Sequence, residues 1–115
     1  MDIEIQTRDN MFIFDLLETK QISSDVIKPI TENANLVYKR KFHMVNKSMN
    51  VPPEIINFSI LFLSGVASGI ISNWLWDKIK GKEVTKIKIN NKEVDFEEGI
   101  IKRTVEETIE MERPM

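Results

Sequence analysis

The chain has 115 residues, of which 42% are hydrophobic and 30% charged, with a formal net charge of −2 and no cysteine. That length supports one domain with a single modest core, and the apolar fraction argues against disorder. The charge balance gives no global pull toward polyanions, and the missing cysteines exclude disulfides, thiolate nucleophiles and zinc–thiolate centres.

The opening residues, MDIEIQTRDN, place acidic side chains where a secretory leader would carry basic ones before an apolar stretch. No cleavable signal is expected, and the expected location is cytoplasmic or membrane-associated. Ile3 and Ile5 alternate with Asp2, Glu4 and Gln6, the period of a strand with one buried face, over residues 1–7. Met11 to Leu17 fits a short buried helix capped by Asp9 or Asn10, although four apolar residues in succession fit a strand as well. Ser24 and Asp25 carry helix-start chemistry, but Pro29 forbids a regular helix interior and Asn33 and Asn35 favour turns, so residues 23–35 are expected to form a helical turn or an irregular loop. Over 36–45, Leu36, Tyr38, Phe42 and Met44 share one strand face and Lys39, Lys41 and His43 the other, with Arg40 the one misfit on the apolar side.

The polar stretch 46–53 ends in a Pro–Pro pair suited to the first turn of a helix, and the run Ile55 to Trp76 that follows contains no charged residue. The reading is a dominant apolar helix near 53–80, with 54–80 as its core. A helix over 55–76 measures roughly 33 Å against a bilayer core of about 30 Å, so burial in lipid and burial in protein are equally favoured. Trp74, Trp76, Lys78 and Lys80 are the candidate membrane-interface residues, with Lys82, Lys86 and Lys88 extending the cationic end. Gly65 and Gly69 form a GxxxG pattern, and with Ser68 and Ser72 they define a smooth strip for close helix packing against a partner or a second copy. A strand pair before such a helix and a hairpin after it could not share one sheet if the helix crossed a bilayer.

Beyond Gly81, Val84–Ile89 reads as a strand, Asn90–Asn91 as a hairpin turn and Lys92–Phe96 as the returning strand. Asp95 and Glu98 have capping-box spacing, and Ile101, Val105 and Ile109 line one face of an amphipathic helix over 97–112. Its acidic side chains, Glu97, Glu98, Glu106, Glu107, Glu110 and Glu112, belong to a solvated face. The expected fold is therefore α+β over residues 1–115: a small mixed sheet of about four short strands, one long apolar helix and one amphipathic helix. The order of strand, glycine-containing apolar helix, lysine-rich end and hairpin resembles, in layout alone, the small α+β adaptor components found beside effectors in bacterial conflict systems. No functional residue is carried over from that resemblance.

No catalytic motif accompanies these elements. His43, the only histidine, has no cysteine or nucleophile-elbow serine to partner it, and its strand position reads as a surface one. No EF-hand, HExxH, CxxC, P-loop or GxGxxG spacing occurs, so no metal, cofactor or catalytic residue is assigned. The expected function is a non-enzymatic interaction or assembly module, acting through the Gly65–Ser72 strip on a protein partner or in a homo-oligomer. The alternative is a small polyanion-binding protein using Lys39, Arg40, Lys41 and Lys47, although a slightly acidic chain makes nucleic acid the less favoured partner.

Overall fold

The computed structural model describes residues 1–20, 26–43 and 53–113, the side chains of Phe42 and His43 excepted. In chain order the elements are β1 (Asp2–Thr7), α1 (Phe12–Leu17), β2 (Ile27–Thr31), β3 (Ala34–His43), β4 (Glu54–Phe62), α2 (Ser68–Ile79), β5 (Val84–Ile89), β6 (Lys92–Val94) and α3 (Glu98–Glu112). The strands make one six-stranded sheet in the order β2-β3-β4-β1-β5-β6, and every pairing is antiparallel. The architecture is α+β, with a larger and more uniform sheet than the sequence pattern implies.

The central correction concerns residues 55–76, which do not form one helix. Ile56, Phe58 and Ile60 are buried on one side of the strand, while on the other Ile55 and Asn57 are half-buried, Ser59 is buried and Leu61 is exposed. This is the period of two of a strand, built from β-branched and aromatic residues that suit a pleated surface. The chain leaves β4 through a turn in which the Val66 N–H donates to the Leu63 carbonyl at 3.1 Å, with Gly65 inside it. It then enters α2 after an extended Ala67. Among the described residues no helix is long and apolar enough to cross a membrane. The apolar run looked continuous because β4 lies inside the sheet and keeps apolar residues on both faces, and because α2 follows after one short turn.

Two smaller corrections have similar causes. Residues 27–31 form β2, a sheet edge. The Tyr38 N–H donates to the Val26 carbonyl at 2.9 Å, and Ile27 lies opposite Val37, which places Lys28 and Leu36 in a hydrogen-bonded pair and turns the Pro29 nitrogen outward. Proline costs nothing there and removes a donor that another strand could use. The Asp95–Glu98 capping box does not form: α3 starts after an extended Glu97 with no side-chain cap. Ser24, Asp25, Met44, Val45, Lys47 and the Asn46–Pro52 stretch lie outside the described residues.

Ile3 and Ile5 of β1, Leu36 and Tyr38 of β3, Ile56, Phe58 and Ile60 of β4, and Ile87 and Ile89 of β5 belong to one buried cluster. The same cluster contains Phe12, Ile13, Leu16 and Leu17 of α1, Ile71, Leu75 and Ile79 of α2, and Ile101, Val105 and Ile109 of α3. All three helices therefore cover the same sheet face. The opposite face carries Asp2, Glu4, Gln6, Val37, Asn57, Ser59, Leu61, Lys86 and Lys88, and none of the described helices lies over it.

Lys28 and Lys78 meet at the exposed carboxylate of Glu18, with N–O distances of 2.9 and 3.0 Å, tying the end of α1 to β2 and α2. Hydrogen bonds from Lys28 and then Lys78 hold this carboxyl at about 2, against an ordinary 4.5. Because the folded value lies below the unfolded one, its stabilisation is complete above pH 4.5 and vanishes as pH falls toward 2. Carbon-detected NMR of the Glu18 carboxyl is expected to show a midpoint near 2, and Lys28→Met is expected to raise it. A midpoint unmoved by that substitution contradicts the assignment.

Candidate functional site on the uncovered sheet face

The residues anticipated as a strip for partner packing do not lie along one helix face. Gly65 sits in the turn before α2, so Gly65 and Gly69 do not share a helix face. A Cβ added at Gly69 would lie 3.6 Å from a carboxylate oxygen of Glu106, which shows that the start of α2 faces α3. Ser72 is buried and its hydroxyl donates to the Gly69 carbonyl at 3.1 Å, while Ser68 opens the helix. The residues anticipated at a membrane interface are likewise engaged within the fold. Trp74 and Trp76 pack against the core, and Trp76 meets Phe96 with ring centroids 5.4 Å apart and planes tilted by 40°. Lys78 pairs with Glu18, and Lys80 pairs with Asp77 at 3.1 Å.

The cationic stretch of β3 is reorganised by a bulge. The register runs from Tyr38 opposite Phe58 to Arg40 opposite Asn57, so Lys39 and Arg40 together face one residue of β4. Strict alternation would have put Arg40 on the apolar side. The extra residue brings both cations to the uncovered face, and it shifts Lys41 to the covered one, opposite Ile56. There Lys41 meets the buried carboxylate of Glu54 at 3.6 Å. The nearby Tyr38 hydroxyl is pushed above its ordinary range, first by burial and then by the Glu54 charge. Lys39, Arg40 and Lys41 therefore do not form one cationic row, and Lys47 lies outside the described residues.

On the uncovered face the bulge borders a shallow cleft of about 330 Å³ lined by Asp2, Glu4, Lys39, Arg40, Asn57 and Lys88. Asn91 of the β5–β6 turn also lines it. Asn90 and Asn91 both have positive φ, 50° and 66°, as a tight hairpin requires, and the Asn90 side chain accepts a hydrogen bond from the Asp2 N–H at 2.8 Å. Loose ion pairs cross the cleft, Lys39 with Asp2 and Lys88 with Glu4, each at 3.7 Å. A hydrogen bond from the Ser59 hydroxyl, and then the charge of Lys39, holds the Asp2 carboxyl below the ordinary carboxylate range. The amide Nδ2 of Asn57 is buried and has no hydrogen-bond partner among the described residues.

Of this cleft Lys39 and Arg40 stood out in the sequence as a basic pair, Lys88 as part of a cationic stretch expected at a membrane interface, and Asn91 as a turn residue. The available signals for the others were the polar side of β1 and the interruption of an apolar run by Asn57. Among the described residues no group of three or more His, Cys, Asp or Glu side chains could hold a metal ion. No protein-family model, no curated protein and no solved structure matches this chain.

Proposed function

We propose that the protein is a non-enzymatic assembly module that self-associates through the uncovered face of its sheet. The observation that carries this reading is the composition of that face. It exposes Ile27 (63%) and Leu61 (58%) beside Val37, and next to them it sets basic residues on β3 against acidic residues on β1, with β4 between. Such a surface is self-complementary. A two-fold axis running along β4 lays Lys39 and Arg40 over Glu4 of the partner copy and brings the two Leu61 side chains together.

Six strands about 4.8 Å apart offer roughly 600 Å² per copy, or roughly 1,200 Å² in a pair. That reaches the lower end of the range of about 1,200–2,000 Å² typical of specific interfaces. Edge-to-edge pairing is disfavoured by Pro29 on β2 and by the three-residue length of β6. The alternative, a polyanion-binding surface over residues 39–47, draws among the described residues on Lys39 and Arg40 on this face, with Asp2 and Glu4 beside them.

Light-scattering mass across a concentration series is expected to show a dimer. Leu61→Lys, a change at an exposed position, is expected to weaken that dimer at least tenfold with the circular dichroism spectrum unchanged. A wild-type mass that stays monomeric at high protein concentration overturns the proposal.

A further inference from the structure

We infer that Asn57 sits on the two-fold axis of the dimer and pairs with Asn57 of the second copy, each side-chain amide donating to the carbonyl of the other, and that this pair fixes the register of the two sheets. The inference rests on the self-association proposed above and gives it a specificity-determining residue. Its ground is an unmet donor. The Nδ2 of Asn57 is buried without a hydrogen-bond partner among the described residues, in the cleft of the uncovered face and on the strand that carries the axis. A buried amide left unpartnered is costly, so an acceptor from outside the chain is favoured there.

The neighbouring groups do not supply that acceptor. β4 turns Ile55, Asn57, Ser59 and Leu61 to the same face, and Ile55 and Leu61 have no polar side-chain atom. The Ser59 hydroxyl is engaged as a donor to Asp2. Lys39 and Lys88 are donors only, and their own partners are Asp2 and Glu4.

Symmetry supplies it instead. With the axis along β4, a residue of that strand lies over the same residue of the second copy, and only a self-complementary side chain is satisfied by its own image. An amide qualifies, because it carries both donors and an acceptor. The reach also fits. Sheets packed face to face lie about 10 Å apart, a gap that two asparagine side chains and a hydrogen bond of about 2.9 Å can span. The amide turns outward by rotation about its own side-chain bonds, and Lys39, 54% exposed, reorients within nanoseconds to admit the partner.

The same pair excludes other arrangements. An axis running across the strands at Asn57 would lay β3 over β3, with Lys39 against Lys39, and would set Leu61 over position 53. A slip of one copy by two residues along β4 would place Asn57 over Ile55 on one side and over Ser59 on the other, leaving both amides unpartnered. A single buried asparagine sets the register of coiled coils by the same logic.

Two measurements test the pair, and both tell its failure from that of the dimer. In the first, Asn57→Asp and Asn57→Lys are each expected to weaken the dimer at least tenfold when alone, by setting like charges against each other. An equimolar mixture of the two is expected to dimerise at least tenfold more tightly than either. The second uses the wild type, so it does not depend on the folding of a variant. In a mixture of nitrogen-15-labelled and carbon-13-labelled copies, a nuclear Overhauser effect is expected from the Asn57 amide protons of one copy to the Asn57 Cβ protons of the other. A wild type that stays monomeric at high concentration overturns the dimer and the pair together. A dimer whose two charged variants gain nothing on mixing, or whose Asn57 amide contacts other residues of the second copy, overturns the pair alone.

Discussion

Replacing Phe58 by Ala is expected to destabilise the fold by about 3–5 kcal/mol, a large share of the roughly 5–15 kcal/mol that holds a small domain together. Phe58 is 1% exposed on β4, opposite Tyr38 of β3 and Ile3 of β1, and it belongs to the cluster that the helices cover. Truncation removes its transfer free energy and leaves a cavity between well-ordered strands that cannot close around it. Leu61→Ala, on the other face of the same strand, is expected to change stability by about 0.5 kcal/mol or less in the monomer. The contrast reads out the period of two directly. Equal shifts of the urea midpoint for the two variants would contradict the strand assignment of residues 54–62.

The second large effect is expected at Lys41. Lys41→Met leaves the Glu54 carboxylate, 8% exposed, without the one ion-pair partner it has among the described residues. The expected loss is about 1–3 kcal/mol, below the range for a fully buried pair because Lys41 itself is 29% exposed. Changing both residues, Lys41→Met with Glu54→Leu, is expected to recover most of that loss, since the stranded charge goes with its partner. A double variant no more stable than the single one in urea denaturation would show that Glu54 has another role. This experiment also reports on the bulge, because Lys41 reaches Glu54 only when the β3 register has shifted.

The ends of the chain were the most legible in its sequence. Ile3 and Ile5 announce β1, Asn90–Asn91 announces the β5–β6 turn, and Ile101, Val105 and Ile109 announce the buried face of α3, because each is a local pattern with one period. The middle was not legible. Ile55 to Trp76 joins a strand, a turn and a helix without a charged residue to mark the joins, and length alone then favours one helix. The alternation of Asn57 and Ser59 with Ile56, Phe58 and Ile60 carried the true period, but the apolar Ile55 and Leu61 on the second face obscured it.

Candidate-site residues divide along the same line. Lys39 and Arg40 were visible as a basic pair, whereas the bulge that turns them to one face depends on pairing with β4, which lies outside any local window. Asp2, Glu4 and Lys88 reach the cleft through the central position of β1, another property that no single segment carries.

That position of β1 has a consequence for how the protein forms. Asp2 meets Ser59, 57 residues further along the chain, and Asn90, 88 residues further along. The first strand is therefore flanked on both sides by segments translated long after it. Neither side of β1 can be closed by a local hairpin, so the chain must close long loops before the sheet gains a centre, a topology that folds slowly for its size. On the ribosome, the β3–β4 pairing can form early, but a nascent chain that stops before β5 carries β1 with an edge of unpaired backbone N–H and C=O groups. In that interval the open edge can pair with another chain, and β5 closes it.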